Sequence, residues 1–346
     1  MKQTFSIAKL YFREPLALMS EKKDEFQNEV LMLPSDMIKA ALMSALAMVG
    51  TQVEIDKLNE GLIVSSAFPF FEEHYFFPRP MSALPVEHPT RNPKNRKTVK
   101  KIRFIEKPLF EKVLRAEKFL VKEENFIHGN KFLVQDKKKF ALQAADGSDM
   151  GEKIYDTQTV GRVSLGNLIV LGTGKKGSPY YVSRTYFRQG GGLFFIYKTK
   201  DEELFRKAMD MWQSEGTGAD RRIGNGHFTY KLTEIDLDVP DNADRQMILS
   251  KYIPEKDEVA KGLLSGASYM PSVRGGYVAG TSKEAYAHWL KNKITVLDES
   301  SVFPKSFALQ GRNVMVSNEK LEAVLGHKVY RDGRAISIPI KITENG

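Results

Sequence analysis

Cysteine is absent from all 346 residues. That absence excludes a disulfide framework, a thiolate nucleophile, a Cys-ligated zinc and an iron–sulfur cluster, and it fits a reducing cytoplasm. Long apolar runs are missing too. The longest, Met37 to Val49, carries Lys39 inside it and falls short of the ~20 residues that a membrane span needs. Lys9 and Arg13 interrupt the N-terminal apolar stretch, so no signal peptide is expected. The expectation is a cytoplasmic protein that does not engage a membrane. Histidine is sparse and scattered (His74, His88, His128, His227, His288, His327), without the close pairing a metal requires. No G-x-S-x-G nucleophile motif occurs. Gly172, Gly174 and Gly177 do match G-x-G-x-x-G, but strand-like Ser-Pro-Tyr-Tyr-Val follows where a dinucleotide site needs a helix N-terminus. Neither a metal nor a cofactor is expected.

What the chain does have is length enough for two domains and an uneven positive charge. The formal net charge is +9. Between Arg79 and Arg103 lie eight cations and a single acid, Glu87, so this short stretch holds most of the excess. Its cations are Arg79, Arg91, Lys94, Arg96, Lys97, Lys100, Lys101 and Arg103. Pro and Asn are mixed among them and helical apolar spacing is lacking, which predicts an exposed loop or hairpin arm able to neutralise phosphates. A solvated, solubilising loop is the competing reading.

Alternation over Lys2 to Phe12 predicts a strand. Pro34-Ser35-Asp36 then opens a helix with Ser35 as N-cap, a stripe of Met37, Ile38, Ala41, Leu42, Ala45, Leu46 and Val49, and Gly50 as its stop. Ser65 to Pro80, aromatic and proline-broken, reads as a packed connector. Pro179 to Phe187 and Leu193 to Tyr197 read as a hairpin about Gly190-Gly191-Gly192. An amphipathic helix over Asp201 to Ser214, a glycine loop over Glu215 to Gly226 and a strand from His227 follow. The expected order is β–α–(insertion)–ββ–α–β, an α+β unit of the ferredoxin-like or RRM-like kind with its insertion between the first helix and the second strand. The acidic turn-rich stretch from Asp236 marks a boundary. We therefore expect a first RRM-like domain over 1–237, with a basic insertion at about 79–155, and a smaller, mostly β domain over 238–346.

The glycine loop is the sharper local signal. Arg221 and Arg222 flank Gly224-Asn225-Gly226 between a helix and a strand. Bare backbone N–H groups and guanidinium forks there suit a phosphate, although a plain turn with its arginines paired to carboxylates remains open.

Taken in order, PSDMIKAALMSAL, SSAFPF, FPRP, GRVSL, GGGLFFIY, DRRIGNGHF, RGGY and HKVYRDGRAISIPI resemble the RAMP proteins of CRISPR systems. Within them the chain is most similar to the Cas-five-like family of the type III-A effector complex, Csm subunit four. The resemblance covers Lys2 to about Ile342. It implies two RRM-like RAMP folds and a non-catalytic subunit that holds the 5′ tag of the guide RNA (crRNA) and meets the guide–target RNA duplex. It also implies docking to the large Cas-ten subunit and to backbone Csm subunit three. The insertion with Arg91, Lys94, Arg96, Lys97, Lys100, Lys101 and Arg103 would then be a thumb or its base. Arg221, Arg222, Gly224, Asn225 and Gly226 would be the RNA-binding glycine loop. Ser35, Arg162, Arg274 and Gly275 with Gly276 match further RNA-facing positions of that family. The alternative is a RAMP endoribonuclease that cleaves guide precursors without metal, with His74 as its base; a sibling scaffold of a type III-B complex is a third reading.

Overall fold

The structure is a computed structural model and describes residues 1–18, 31–87, 93–143, 149–164, 178–276, 278 and 289–342. The N-terminal alternation forms β1 (Lys2–Phe12), followed by β2 (Leu16–Leu18), α1 (Ser35–Val49) and α2 (Gln52–Gly61). Next come β3 (Ile63–Val64), β4 (Phe68–Phe71), β5 (His74–Pro78), β6 (Val86–Glu87) and α3 (Pro93–Lys101). β7 (Phe104–Glu106), α4 (Lys107–Leu114), β8 (Phe119–Leu120), β9 (Phe126–Ile127) and β10 (Phe132–Leu133) are short. β11 (Ala141–Gln143), β12 (Asp149–Glu152), β13 (Tyr155–Ser164) and β14 (Ser178–Phe187) precede β15 (Gly191–Lys198), α5 (Glu202–Glu215) and β16 (Phe228–Asp238). The remainder contains β17 (Arg245–Ile248), α6 (Lys256–Ala260), β18 (Pro271–Arg274), β19 (Ile294–Leu297) and β20 (Val302–Pro304). It closes with β21 (Asn313–Met315), α7 (Glu319–Leu325), β22 (Tyr330–Asp332) and β23 (Ser337–Ile340). Mixed helices and sheets are what the sequence pattern predicts.

The main sheet runs β16-β1-β15-β4-β5-β7-β10-β9, with β3 beside β15. β1 lies one strand in from the β16 edge, antiparallel to β16 along its full length and to β15 from Ile7 to Leu10. α1 and α5 pack together, and α5 also packs on β16. On α5, Leu204, Phe205, Ala208, Met209 and Trp212 form the buried stripe that its helical spacing predicts. On α1 the buried hydrophobics are Ile38, Leu42, Ala45 and Leu46, whereas Met37 and Val49 are exposed. Met37 stands about 100° off that stripe, and Val49 lies in the last turn.

Several local expectations are corrected. The N-cap of α1 is Pro34, and Ser35 sits inside the first turn. The aromatic stretch after Ser65 is not a connector but the β4–β5 hairpin, built into the main sheet. Pro69 is tolerated there because the β4–β5 ladder starts only at Phe70 opposite Tyr75. β14 and β15 form no hairpin: β14 pairs with β13 and β2, while β15 pairs with β1, β3 and β4. The turn at Gly190 carries the chain from one sheet into another. The neighbour of β15 on the side away from β1 is therefore β4, which precedes residues 79–155 in the chain. The basic stretch, read as loop or hairpin, contains the helix α3.

One hydrophobic core joins β1, α1, the β4–β5 hairpin, α4 and α5 to Met247, Leu249, Ile336, Ile338 and Ile340 of the C-terminal strands. A smaller cluster, Ile248, Tyr252, Leu263, Leu297 and Phe303, supports the C-terminal part alone.

Candidate nucleic-acid interface

The glycine loop follows α5. Gly216 ends the helix at φ 71°, and Gly218, Asp220, Gly224 and Gly226 also have positive φ, which lets one 3₁₀ turn, Arg221–Ile223, stand up from the surface. The loop is sewn to the chain around β2. Ala219 N–H donates to the Ala17 carbonyl at 2.8 Å, and Gly226 N–H donates to that of Pro15 at 2.9 Å. Thr217 N–H closes the loop on Gly226 O at 3.0 Å. Two glycines are required by close approach: a Cβ at Gly226 would stand 1.8 Å from Thr217 O, and one at Gly218 would stand 2.4 Å from Ala17 O. Gly224 differs, since nothing lies within 4 Å of a Cβ there. It leaves bare main chain facing open space, beside half-buried Arg221 and exposed Arg222. Asn225 is buried at 4% exposure, and its side-chain Nδ2 has no hydrogen-bond partner.

β2, to which the loop is bonded, also pairs with β14. Arg184 of β14 stands opposite Ala17 of β2, and its buried Nε also lacks a partner.

A second basic surface surrounds α3. Lys97, Lys100, Lys101 and Arg103 are exposed while Val99 and Ile102 face inward. Arg79 fastens the helix end by donating from Nη1 to Val99 O at 3.0 Å. Burial, and then the nearby Arg103 charge, holds the Arg79 guanidinium below its usual pKa. Lys94 and Arg96 lie on the same helix. Arg91 and the G-x-G-x-x-G stretch at Gly172 to Gly177 lie outside the described residues, as do His88 and His288. Arg162 lies on β13.

Ser35, Arg274 and Gly275 belong to a different place. Ser35 is buried; its N–H donates to Ser66 Oγ and its Oγ accepts from Lys251 N–H, each at 2.8 Å. Asp36, also buried, accepts from Arg274 Nε and Nη2 at 3.3 Å and from Arg331 Nη1. Gly275 O accepts from Arg331 Nη2 at 2.7 Å. Burial pushes the Asp36 carboxyl up, but Arg274, Arg331 and Lys251 outweigh it and hold the pKa below the ordinary value. The expectation that Ser35 faces RNA from a helix N-terminus is corrected: its polar atoms are spent joining α1 to the C-terminal part. Arg274 and Gly275 are likewise engaged in that junction.

His74 opens β5. Its Nδ1 lies 2.6 Å from Glu106 Oε1, and Glu106 Oε2 accepts from Gln135 N–H at 2.6 Å. Phe140 packs edge-on against the imidazole. Among the described residues no group of three or more His, Asp or Glu could hold a metal ion, and no helix is long and apolar enough to cross a membrane. An open groove between α2 and α5 is lined by charges that satisfy one another, Lys57 with Asp201 and Lys207 with Glu54, both at 2.7 Å.

Residues 241–340 match the family model of the CRISPR Csm4 C-terminal domain. A curated relative, the CRISPR system protein Csm4 of Thermococcus onnurineus (strain NA1), is 21% identical over 325 residues, spanning 90% of this chain and 92% of the relative. Among solved structures, the Csm3–Csm4 subcomplex of a type III-A CRISPR-Cas interference complex matches with TM-score 0.61 at 17% identity, covering 97% of this chain and all of that one. A Csm1–Csm4 cassette in complex with cA4 matches with TM-score 0.57 at 20% identity, covering 99% of this chain and all of the other. The resemblance carried by the motifs thus recurs in family model, curated relative and fold: residues 241–340 match the Csm4 C-terminal domain model, and the chain as a whole is similar to the RAMP subunit Csm4.

Proposed function

We propose that the chain is a non-catalytic, guide-RNA-binding RAMP subunit of a type III-A CRISPR effector complex. The observation that carries this reading is the glycine loop, where bare main chain at Gly224 is flanked by Arg221 and Arg222 and fixed against β2. Single-stranded RNA is held by such backbone and guanidinium contacts along its phosphates. In this reading the loop holds the 5′ tag of the crRNA. The exposed cations of α3 form the thumb or its base and meet the guide–target duplex. Strand order β16-β1-β15-β4, with α1 and α5 as the connecting helices, supports a ferredoxin-like first domain over 1–237. Residues 238–346 form the second, smaller domain of the same kind. The matched chains occur with Csm1 and with Csm3, which supports docking of this chain to a large subunit and to a backbone subunit.

The test is the affinity of the purified chain for labelled guide RNA across a salt series. Replacing Lys97, Lys100, Lys101 and Arg103 with Ala should weaken binding and flatten the plot of log affinity against log salt, by about 0.7 per lost phosphate contact. An unchanged slope overturns the role of α3. Replacing Arg221 and Arg222 without effect overturns that of the loop.

The His74–Glu106 pair favours one other reading, the metal-independent endoribonuclease, because a carboxylate at 2.6 Å orients an imidazole as general bases require. Labelled repeat RNA incubated with the chain in EDTA separates the two. The scaffold reading expects no cut; specific cleavage abolished by His74→Ala would replace it.

A further inference from the structure

We propose that the outer edge of β16 is a docking site for an extended, Lys- or Arg-bearing segment of a partner protein, which pairs with it as one more strand of the main sheet. It does not depend on the RNA reading, because no residue of the glycine loop or of α3 takes part. β16 is the last strand of the main sheet, and its register with β1 runs unbroken from Phe228 to Asp238. The bonds at its two ends fix which way its main chain points. Arg13 N–H donates to His227 O at 3.2 Å, and Val239 N–H donates to Met1 O at 3.0 Å. Odd-numbered residues therefore exchange bonds with β1, and even-numbered ones turn their N–H and C=O groups to the outer edge. Asp238 shows this directly: its N–H donates to Glu111 Oε1 at 3.1 Å, and its carbonyl accepts from Arg115 Nη1 at 3.4 Å. Side chains from α4 and the residue after it thus finish the edge at its C-terminal end. From Tyr230 to Asp236 no strand pairs with the other side of β16 among the described residues. There Tyr230, Leu232, Glu234 and Asp236 offer their main-chain groups outward.

Sheet edges are commonly blunted by a bulge, a proline or a very short strand, and β16 has none of these over its 11 residues. Its side chains say what fits. Glu234 and Asp236 are exposed and, being even-numbered, share the face on which Tyr230 donates to Asp210 of α5 at 2.7 Å. Arg206 of α5 is already paired with Glu202 at 3.3 Å, and Lys2 lies 3.8 Å from Asp236. That face is left with an excess of negative charge. Cross-strand partners share a face and opposite charges there attract, so a segment with Lys or Arg at alternate positions is complementary. A second copy of β16 is not. Antiparallel two-fold pairing keeps even residues beside even ones and gathers Glu234 and Asp236 of both copies on one face. Pairing of a partner strand takes its affinity from main-chain bonds and its selectivity from alternate side chains.

The test uses the full chain and a short fluorescein-labelled peptide of alternating Lys and Val, with alternating Glu and Val as its counterpart. Binding is read by fluorescence anisotropy, and amide hydrogen exchange residue by residue by NMR. In the free chain the amides of Tyr230, Leu232, Glu234 and Asp236 should exchange about tenfold or more faster than those of Thr229, Lys231, Thr233 and Ile235. The Lys peptide should bind, slow the even-numbered set about tenfold or more at saturation, and leave the odd-numbered set unchanged. The Glu peptide should not bind. Glu234→Lys together with Asp236→Lys should reverse this preference, weakening the Lys peptide about tenfold and admitting the Glu peptide. A Lys peptide that does not bind overturns the proposal. Binding without slower exchange in the even-numbered set is charge attraction alone and overturns the strand pairing. Even-numbered amides already protected in the free chain overturn the open edge; where that protection grows with protein concentration, the occupant is a second copy.

Discussion

Asp36 shows how one residue changes meaning between sequence and structure. In sequence it is an acid in the first turn of a helix; in the fold it is buried and faces two guanidinium groups, Arg274 and Arg331. Lys251 extends the cluster to Asp298 and Glu299, each at 2.7 Å, and Glu299 returns to α1's neighbour by accepting from Ser66 Oγ. Removing one charge leaves the others buried and uncompensated. Asp36→Asn should therefore cost about 3–5 kcal/mol of stability, read by urea denaturation; a loss below about 1 kcal/mol would mean the cluster is solvated. Lys39 adds a pH dependence. Its ammonium donates to the carbonyls of Leu58, Asn59 and Leu62 at the end of α2, with Asp332 at 4.0 Å. Burial brings its pKa down to about 7, the Arg334 charge acts in the same direction, and Asp332 opposes them. Between about 7 and 10.5 the unfolded chain holds a proton that the folded chain lacks, so this group makes stability rise with pH. From pH ~7 to ~9, wild type should gain about 2 kcal/mol relative to Lys39→Met. Parallel curves for the two proteins would refute it.

At the scale of elements, the glycines of the loop after α5 divide into those the fold requires and one it leaves open. Gly226→Ala meets both a positive φ and Thr217 O, and it should cost about 2–3 kcal/mol. Gly224→Ala meets only the positive φ. It should cost about 1 kcal/mol yet weaken RNA binding, because its Cβ would occupy the face offered to the strand. Equal effects of the two on stability would contradict the loop geometry. Motif spacing made this loop visible in the sequence, and helical periodicity did the same for α5. The β4–β5 hairpin was hidden because Pro69 and Pro78 are strand breakers by propensity, yet here they sit where ladder bonds are not needed or already end. The false hairpin of β14 and β15 had the right strands and the right turn. What local sequence does not specify is which partner a strand takes after the turn.

Across the whole molecule the two sequence-defined parts share a core. Strands β17 and β23 deliver Met247, Ile338 and Ile340 into the same cluster as β1 and α1, and Arg334 donates to Asn59, Glu60 and Leu62 carbonyls across the junction. The chain should thus unfold in urea as one transition seen alike by far-ultraviolet circular dichroism and tryptophan fluorescence. Two separated transitions would show that the parts fold independently.

The absence of cysteine and of long apolar runs, the clustered charge and the loop motif required nothing but the order of residues, because composition and short-range backbone preference are local properties. The family resemblance rested on the order of its motifs, from PSDMIKAALMSAL to HKVYRDGRAISIPI. Only the tertiary structure decided that Ser35 and Arg274 serve a buried junction, and that the aromatic stretch after Ser65 is sheet. It alone set β2 between β14 and the glycine loop. These are outcomes of strand pairing and burial between residues far apart in the chain, and no local pattern encodes which distant partner will be met.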